Sequence, residues 1–203
     1  MTTLALSLAP PKDRARVRIA YQVAMVFAGA LLMSGLAQLS IKLPFTPVPI
    51  TGQTLGVLLI GASLGPSLGA ASMLLYLAWG FVGMPVFAPD ASGAHATGSA
   101  ALGFASASGG YLWGFVFAAW AVGELAKRGW DRALRSSISA MLIGEVIIYA
   151  FGIPWLMAAL HAPLAKGLEW GFYPFVVGDV LKLFVAAGVL PLAWKLTRRG
   201  SDD

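Results

Sequence analysis

Asp179 and Lys182 stand in the stretch Pro174-Phe-Val-Val-Gly-Asp-Val-Leu-Lys182, where nearly every neighbour from Phe172 to Leu196 is apolar. Ionised groups at membrane depth cost about 2.5–3.5 kcal/mol each on insertion scales, so their presence in such a run points to function. If the run is helical from Pro174, Asp179 lies about 8 Å in, at ~1.5 Å per residue. A three-residue spacing turns both side chains to one face. A carboxylate and an ammonium set this way can grip a neutral, flat polar ligand. The first accepts N–H bonds, the second donates to a carbonyl, and charge-assisted bonds are stronger than neutral ones. They also discriminate, because an analogue lacking the group leaves a buried charge unpaired. The plainer alternative is a self-neutralising ion pair that only locates the helix.

The setting for this pair is a membrane. Of 203 residues, 58% are hydrophobic and only 11% charged, and a soluble domain of this length could not cover itself with so few charges. The 24 glycines suit helices that pack through small residues where no hydrophobic force draws them together. With no cysteine, disulfides, thiolate metal sites and cysteine nucleophiles are excluded. The net charge of +5 does not point to nucleic acid, because the basic residues cluster at segment ends, where they set orientation. There is no G-x-x-x-x-G-K-[ST] motif for ATP hydrolysis. His95 and His161 have no ligand spacing around them and read as loop residues. Neither a catalytic residue, a metal site nor a cofactor is expected.

Six apolar segments frame the chain. Residues 1–19 form a polar lead with Lys12, Arg14, Arg16 and Arg18, and Ala20–Leu39 reads as a retained spanning helix. Ala20, Ala24 and Ala28 recur every fourth residue on it. Such a stripe lets helices approach closely, within the chain or on a partner subunit. Leu43-Pro-Phe-Thr-Pro-Val-Pro-Ile-Thr-Gly-Gln-Thr54 cannot be helical through its three prolines and is expected as a rigid extended loop. Its Thr46, Thr51, Gln53 and Thr54 suit a small polar ligand or satisfy the loop's own backbone. Thr54–Leu64 and Pro66–Phe81 form a tight helical hairpin at Gly65-Pro66. A Gly/Ala/Ser-rich connection then runs to Gly110 past Asp90, His95 and Thr97, as a lid, a binding loop or simple disorder. Gly110–Leu125, Ser137–Leu160 and Pro174–Leu196 complete the six, with Lys166 and Glu169 in the loop before the last. Glu145 is an acid inside a span whose role stays open. Trp79, Phe81, Phe87, Tyr111, Trp113, Tyr149 and Trp155 are available as pocket walls or as interfacial anchors.

An even number of spans puts the basic residues before the first segment, after the fourth and after the sixth on one side. These hold all but Lys42, Lys166 and Lys182, and the positive-inside rule makes that side cytoplasmic. The Pro-rich loop, the Gly/Ala loop and the entry to the last helix then converge on the outer face, above Asp179 and Lys182.

An ordered set of motifs resembles a known family. Pro47-Val-Pro-Ile-Thr51, Gln53-Thr-Leu55, Leu64-Gly-Pro66, Tyr76 with Gly83-Met-Pro-Val-Phe87, Gly109-Gly-Tyr111, Tyr149 with Gly152-Ile-Pro-Trp155, and Pro174-Phe-x-x-Gly-Asp-x-x-Lys182 are similar to those of the BioY family. Its members are the biotin-binding S-components of energy-coupling factor (ECF) transporters. The resemblance implies an all-α, six-transmembrane-helix bundle with both termini cytoplasmic, in a bacterial cytoplasmic (inner) membrane. Residues 20–196 would form that single domain, between the lead at 1–19 and a cytoplasmic tail at 197–203. It implies a non-enzymatic protein that captures biotin with high affinity from the outer face, with or without an ATPase module. Asp179 and Lys182 match the family's ligand-binding pair. Complementarity gives Asp179 the ureido N–H groups and Lys182 the ureido oxygen, with Lys182 on the valerate carboxylate as the alternative. Thr51 and Gln53 match the family's loop and would serve ring or tail, with Tyr111 and Tyr149 beside them. The Ala20/Ala24/Ala28 stripe is similar to the motif by which S-components dock on the transmembrane coupling subunit, which two ATPase subunits would join. One stretch departs: Ala88-Pro-Asp-Ala-Ser-Gly93 and Ser106-Ala-Ser-Gly-Gly110 replace the family's usual Gly-rich turn and Gly-Pro-Thr/Ser-Gly-Gly-Tyr pattern. Asp90 and Ser92 are the nearest candidates for a ligand contact there. Two other readings stay open from the residues: a membrane-embedded enzyme and a binder of another small molecule.

Overall fold

Helix forms wherever the six apolar runs predict it. The structure, a computed structural model, describes residues 3–8, 15–89 and 93–199. In chain order the helices are α1 (Leu4–Ser7), α2 (Ala15–Gln38), α3 (Gln53–Leu64), α4 (Pro66–Phe81), α5 (Gly98–Leu102), α6 (Gly109–Lys127), α7 (Leu134–Leu160), α8 (Leu164–Gly171) and α9 (Tyr173–Arg199). Among the described residues, Ala15–Gln38, Leu134–Leu160 and Tyr173–Thr197 are long and apolar enough to cross a membrane. Within the described residues α2 already includes Arg16 and Arg18, ahead of the apolar run from Ala20. Thr3 is buried and its hydroxyl donates to the Leu64 carbonyl at 3.5 Å, which sets the segment leading into α1 against the end of α3.

Close packing depends on glycine. Gly65 turns the α3–α4 hairpin with φ of +86°, a conformation that costs L side chains dearly, and Pro66 opens α4 where its missing N–H is harmless. A Cβ on Gly123 would lie 2.4 Å from the Pro66 nitrogen, and one on Gly61 would lie 2.6 Å from the Ala119 carbonyl oxygen. Both α3 and α4 therefore lie against the backbone of α6. A Cβ on Gly29 would meet the Ser72 hydroxyl of α4 at 2.5 Å, which brings α2 in as closely. This is small-residue packing of the kind lipid-embedded helices require.

The last helix shows how the charged pair is aimed. Phe175, Asp179, Leu183, Ala186, Ala187, Leu190 and Trp194 are buried, whereas Val177, Leu181 and Phe184 are exposed. The buried set recurs at three- and four-residue steps, so Asp179 sits on the stripe that faces the bundle. On α7 the matching stripe is Ser137, Ala140, Met141, Gly144, Glu145, Ile148, Gly152 and Leu156. Leu58, Val122, Met141, Leu183 and Leu190 join in one apolar cluster, and Met33, Val57, Met73, Tyr76, Phe115 and Leu156 belong to another.

Three connections differ from expectation. The Pro-rich stretch is flanked by a two-residue ladder, β1 (Ser40–Ile41) against β2 (Ile50–Thr51), pairing antiparallel with Ser40 opposite Thr51. Gln53 and Thr54 are in the first turn of α3 rather than in the loop, because the last proline is Pro49 and nothing beyond it obstructs a helix. The loop expected around Lys166 and Glu169 is the short helix α8, in which Lys166 Nζ lies 2.8 Å from Glu169 Oε2 one turn on. The Gly/Ala-rich connection carries order of its own: α5, a bridge between Pro89 and His95, and a 2.7 Å contact between His95 Nδ1 and the Phe87 carbonyl oxygen.

At the end of the bundle remote from Pro174, Trp194 Nε1 of α9 donates to Asp131 Oδ2 at 2.5 Å, and the Arg132 guanidinium lies 4.7 Å from the Trp194 ring centroid. This ties the α6–α7 link to the end of α9. Replacing Asp131 with Ala strands the buried indole N–H and should lower stability by about 1.5–3 kcal/mol, read from thermal unfolding in detergent. Burial holds the Asp131 carboxyl above the usual carboxylate value of 3.8, against the lowering effect of the Trp194 bond. A raised carboxyl contributes most below its unfolded value and loses that contribution as pH rises through the native one. A melting series upward from pH 3.8 should therefore decline less in Asp131→Asn than in the parent.

Candidate functional site

The β1–β2 excursion, the α4–α6 connection and helices α3, α6, α7 and α9 enclose a cavity of about 200 Å³. Its apolar walls include Pro47, Pro49, Phe87, Leu112, Phe115 and Phe175. Thr51, Gln53, Tyr111, Tyr149, Asp179 and Lys182, which come from four separate parts of the chain, all line it. Asp90 and Ser92 lie outside the described residues, and Ala88 and Pro89 just before them line the cavity.

At the charged end, Lys182 Nζ donates to Asp179 Oδ1 at 2.9 Å. The Thr54 hydroxyl closes a triangle, donating to Asp179 Oδ1 at 3.1 Å and accepting from Lys182 Nζ at 3.1 Å. The other carboxylate oxygen, Oδ2, accepts from the Tyr149 hydroxyl. Asp179 is 6% exposed, so its charge is held by three donors from three helices rather than by water. The pair neutralises itself, as the plainer reading had it, and it also faces the cavity.

A second polar set fastens the loops above α3. Thr51 Oγ1 donates to Gln53 Oε1 at 3.0 Å, and Gln53 Nε2 donates to the Tyr76 hydroxyl at 2.8 Å. Tyr76, fully buried, donates in turn to the Val86 carbonyl at 3.3 Å. This chain runs from the Pro-rich segment through α4 to the start of the α4–α6 connection. The Thr46 hydroxyl adds a 2.6 Å bond to the Trp170 carbonyl and joins the Pro-rich loop to α8.

Of the aromatic residues offered as walls, Phe87, Tyr111 and Tyr149 line the cavity. Trp155 instead donates to the Ser106 carbonyl at 3.1 Å and stacks on Phe104. Trp79 packs on Phe27, while Phe81 and Trp113 are exposed. Thr54, named at first only as a loop donor, is central to the charged triangle. Its i, i+125 relation to Asp179 has no local signature. Ser106 and Ser108 also line the cavity, from a stretch whose composition shows only small residues. Ala20, Ala24 and Ala28 lie far from these groups in role, exposed along α2.

A family profile described as the BioY family matches residues 9–199. The chain belongs to the BioY family. It is 37% identical over 169 residues to a protein named biotin transporter BioY from Rhizobium etli, covering 80% of this chain and 86% of the relative. A biotin transporter BioY from Thermotoga maritima is 35% identical over 147 residues, 72% of this chain and 81% of the relative. A crystal structure of the S-component for biotin from an ECF-type ABC transporter superposes with a TM-score of 0.75 at 25% identity, covering 92% of this chain and 95% of that one.

In this BioY-family chain two glycines make room for one cavity wall. A Cβ on Gly152 would lie 2.3 Å from the Tyr111 ring, and one on Gly171 2.4 Å from its hydroxyl, which donates to the Gly171 carbonyl at 2.8 Å. Gly188 has nothing within 4 Å. Gly152→Ala should cost about 1–3 kcal/mol by overpacking, with Tyr111 displaced from its slot. Gly188→Ala should be neutral or stabilising by about 0.5–1 kcal/mol. Thermal unfolding of the two single variants checks both.

Proposed function

We propose that this protein is a membrane-embedded receptor that binds biotin at the outer face and serves its uptake as the S-component of an ECF-type transporter. The observation that carries the reading is the buried Asp179–Lys182 pair facing a cavity with mostly apolar walls, in a chain whose relatives are named biotin transporters. A cyclic urea presents two N–H donors and one carbonyl acceptor, and the carboxylate and ammonium are their complements. Asp179 takes the ureido N–H groups and Lys182 the ureido oxygen. Thr51 and Gln53 serve the ring or tail, Tyr111 and Tyr149 flank the ligand, and Asp90 and Ser92 supply the contact from the α4–α6 connection. Lys182 on the valerate carboxylate is the alternative assignment.

The membrane is a bacterial inner membrane, crossed six times with both termini cytoplasmic; the basic clusters support that orientation. The docking face for a transmembrane coupling subunit, itself joined to two ATPase subunits, is the side of α2 that bears Ala20, Ala24 and Ala28. All three are exposed there beside exposed Val17, Val23 and Phe27, which supports the assignment.

Biotin binding to the detergent-solubilised protein tests the ligand. The parent should bind tightly, and Asp179→Asn and Lys182→Met should each weaken binding about tenfold to a hundredfold. Tight binding that survives both changes returns the pair to a structural role, and no binding by a folded parent removes biotin as the ligand. Replacing Ala24 with Trp should reduce co-purification with coupling and ATPase subunits and leave biotin affinity unchanged. Lost affinity in that variant would sink the docking assignment.

A further inference from the structure

Glu145 lies on the buried stripe of α7, is 6% exposed, and neither of its carboxylate oxygens has a hydrogen-bond partner among the described residues. It does not line the cavity. Its charged neighbours are Asp179 and Lys182, and Tyr149, the residue that bonds Asp179 Oδ2, stands four positions along the same helix face. A buried carboxylate left without donors is costly to keep.

Helices α7 and α9 run antiparallel, since Asp131 before α7 meets Trp194 late in α9, while Tyr149 meets Asp179. Moving from Tyr149 back to Glu145 on α7 and from Asp179 on to Lys182 on α9 is therefore a step in one direction, about one turn or ~5 Å. Glu145 and Lys182 share a level beneath Asp179.

A carboxylate has about four acceptor positions. Asp179 already uses three of them, for Lys182, Thr54 and Tyr149. Accepting both N–H groups of a cyclic urea requires at least one of these donors to leave. Lys182 is the donor on the long flexible stem, and it is also the one with a second acid, Glu145, in electrostatic reach.

We infer that Glu145 is the positioning residue that receives Lys182 when ligand takes its place on Asp179. The inference rests on the assignment of Asp179 to the N–H groups of the ligand. Lys182 exchanges the Asp179 oxygen for Glu145 and, having three N–H donors, keeps one for the ureido oxygen, while Asp179 gains the acceptor position it needs.

Biotin affinity and ligand-free melting, measured for the parent, Glu145→Met, Glu145→Gln, Lys182→Met and the Glu145→Met/Lys182→Met double variant, test it. Glu145→Met should melt no lower than the parent without ligand, because the free carboxylate bonds to nothing there. It should bind biotin about tenfold or more weakly. Glu145→Gln, which keeps an acceptor oxygen, should fall between. In the Lys182→Met background the Glu145→Met change should weaken binding by less than about twofold, since the group it receives is gone. Parent-like affinity in Glu145→Met, an equal loss in both backgrounds, or a ligand-free protein that melts well below the parent would each overturn the inference. A folded parent that does not bind biotin takes it down together with the biotin reading, whereas a binding parent with an indifferent Glu145→Met removes this inference alone.

Discussion

Everything near the cavity depends on keeping one carboxylate ionised inside an apolar bundle. Asp179 has almost no access to water, so its charge must be balanced by protein donors. Those donors come from α3, α7 and α9: Thr54, Tyr149 and Lys182. Three helices whose lipid-facing sides carry no preference for one another are thereby locked into a single register. Within a membrane such polar contacts and close packing replace the hydrophobic force that holds soluble bundles together.

Close packing elsewhere in the bundle depends on small residues at several helix contacts. Gly123 admits the α3–α4 turn, Gly29 admits Ser72, and Gly152 admits the Tyr111 ring. Each lets a backbone or an aromatic side chain approach to a distance that a methyl group would prevent. The cavity is what remains when these approaches are satisfied below and the Gln53–Tyr76–Val86 chain fastens the loops above. Its shape is set by groups that do not line it as much as by groups that do.

The polar economy of the site is also incomplete in one place. Glu145 has no donor, although every other acid buried in the described bundle has one. An unpaired acid beside a paired one creates two positions for a single ammonium, and this is the basis for the exchange inferred at Lys182. A bundle optimised for stability alone would place an apolar residue at 145.

The sequence by itself determined the class of protein, the positions of the helices and the pair at its centre. Apolar runs bounded by basic clusters state where helices form, because the membrane leaves the backbone almost no alternative. Asp179 and Lys182 were legible because charge is conspicuous in an apolar run, and their face followed from a three-residue spacing. The ordered motifs from Pro47 to Lys182 carried the family. Local chemistry gave less away at the connections: the β1–β2 ladder is two residues long, and α8 is only two turns, with one exposed ion pair along it. What only the tertiary structure decided is who meets whom. Thr54 lies 125 positions from Asp179 and Tyr149 lies 30, distances at which no periodicity speaks. The same is true of the orphaned state of Glu145, which is a property of its neighbours rather than of its own position. Pairing of this kind is settled by the packing of whole helices, and no single stretch of chain contains it.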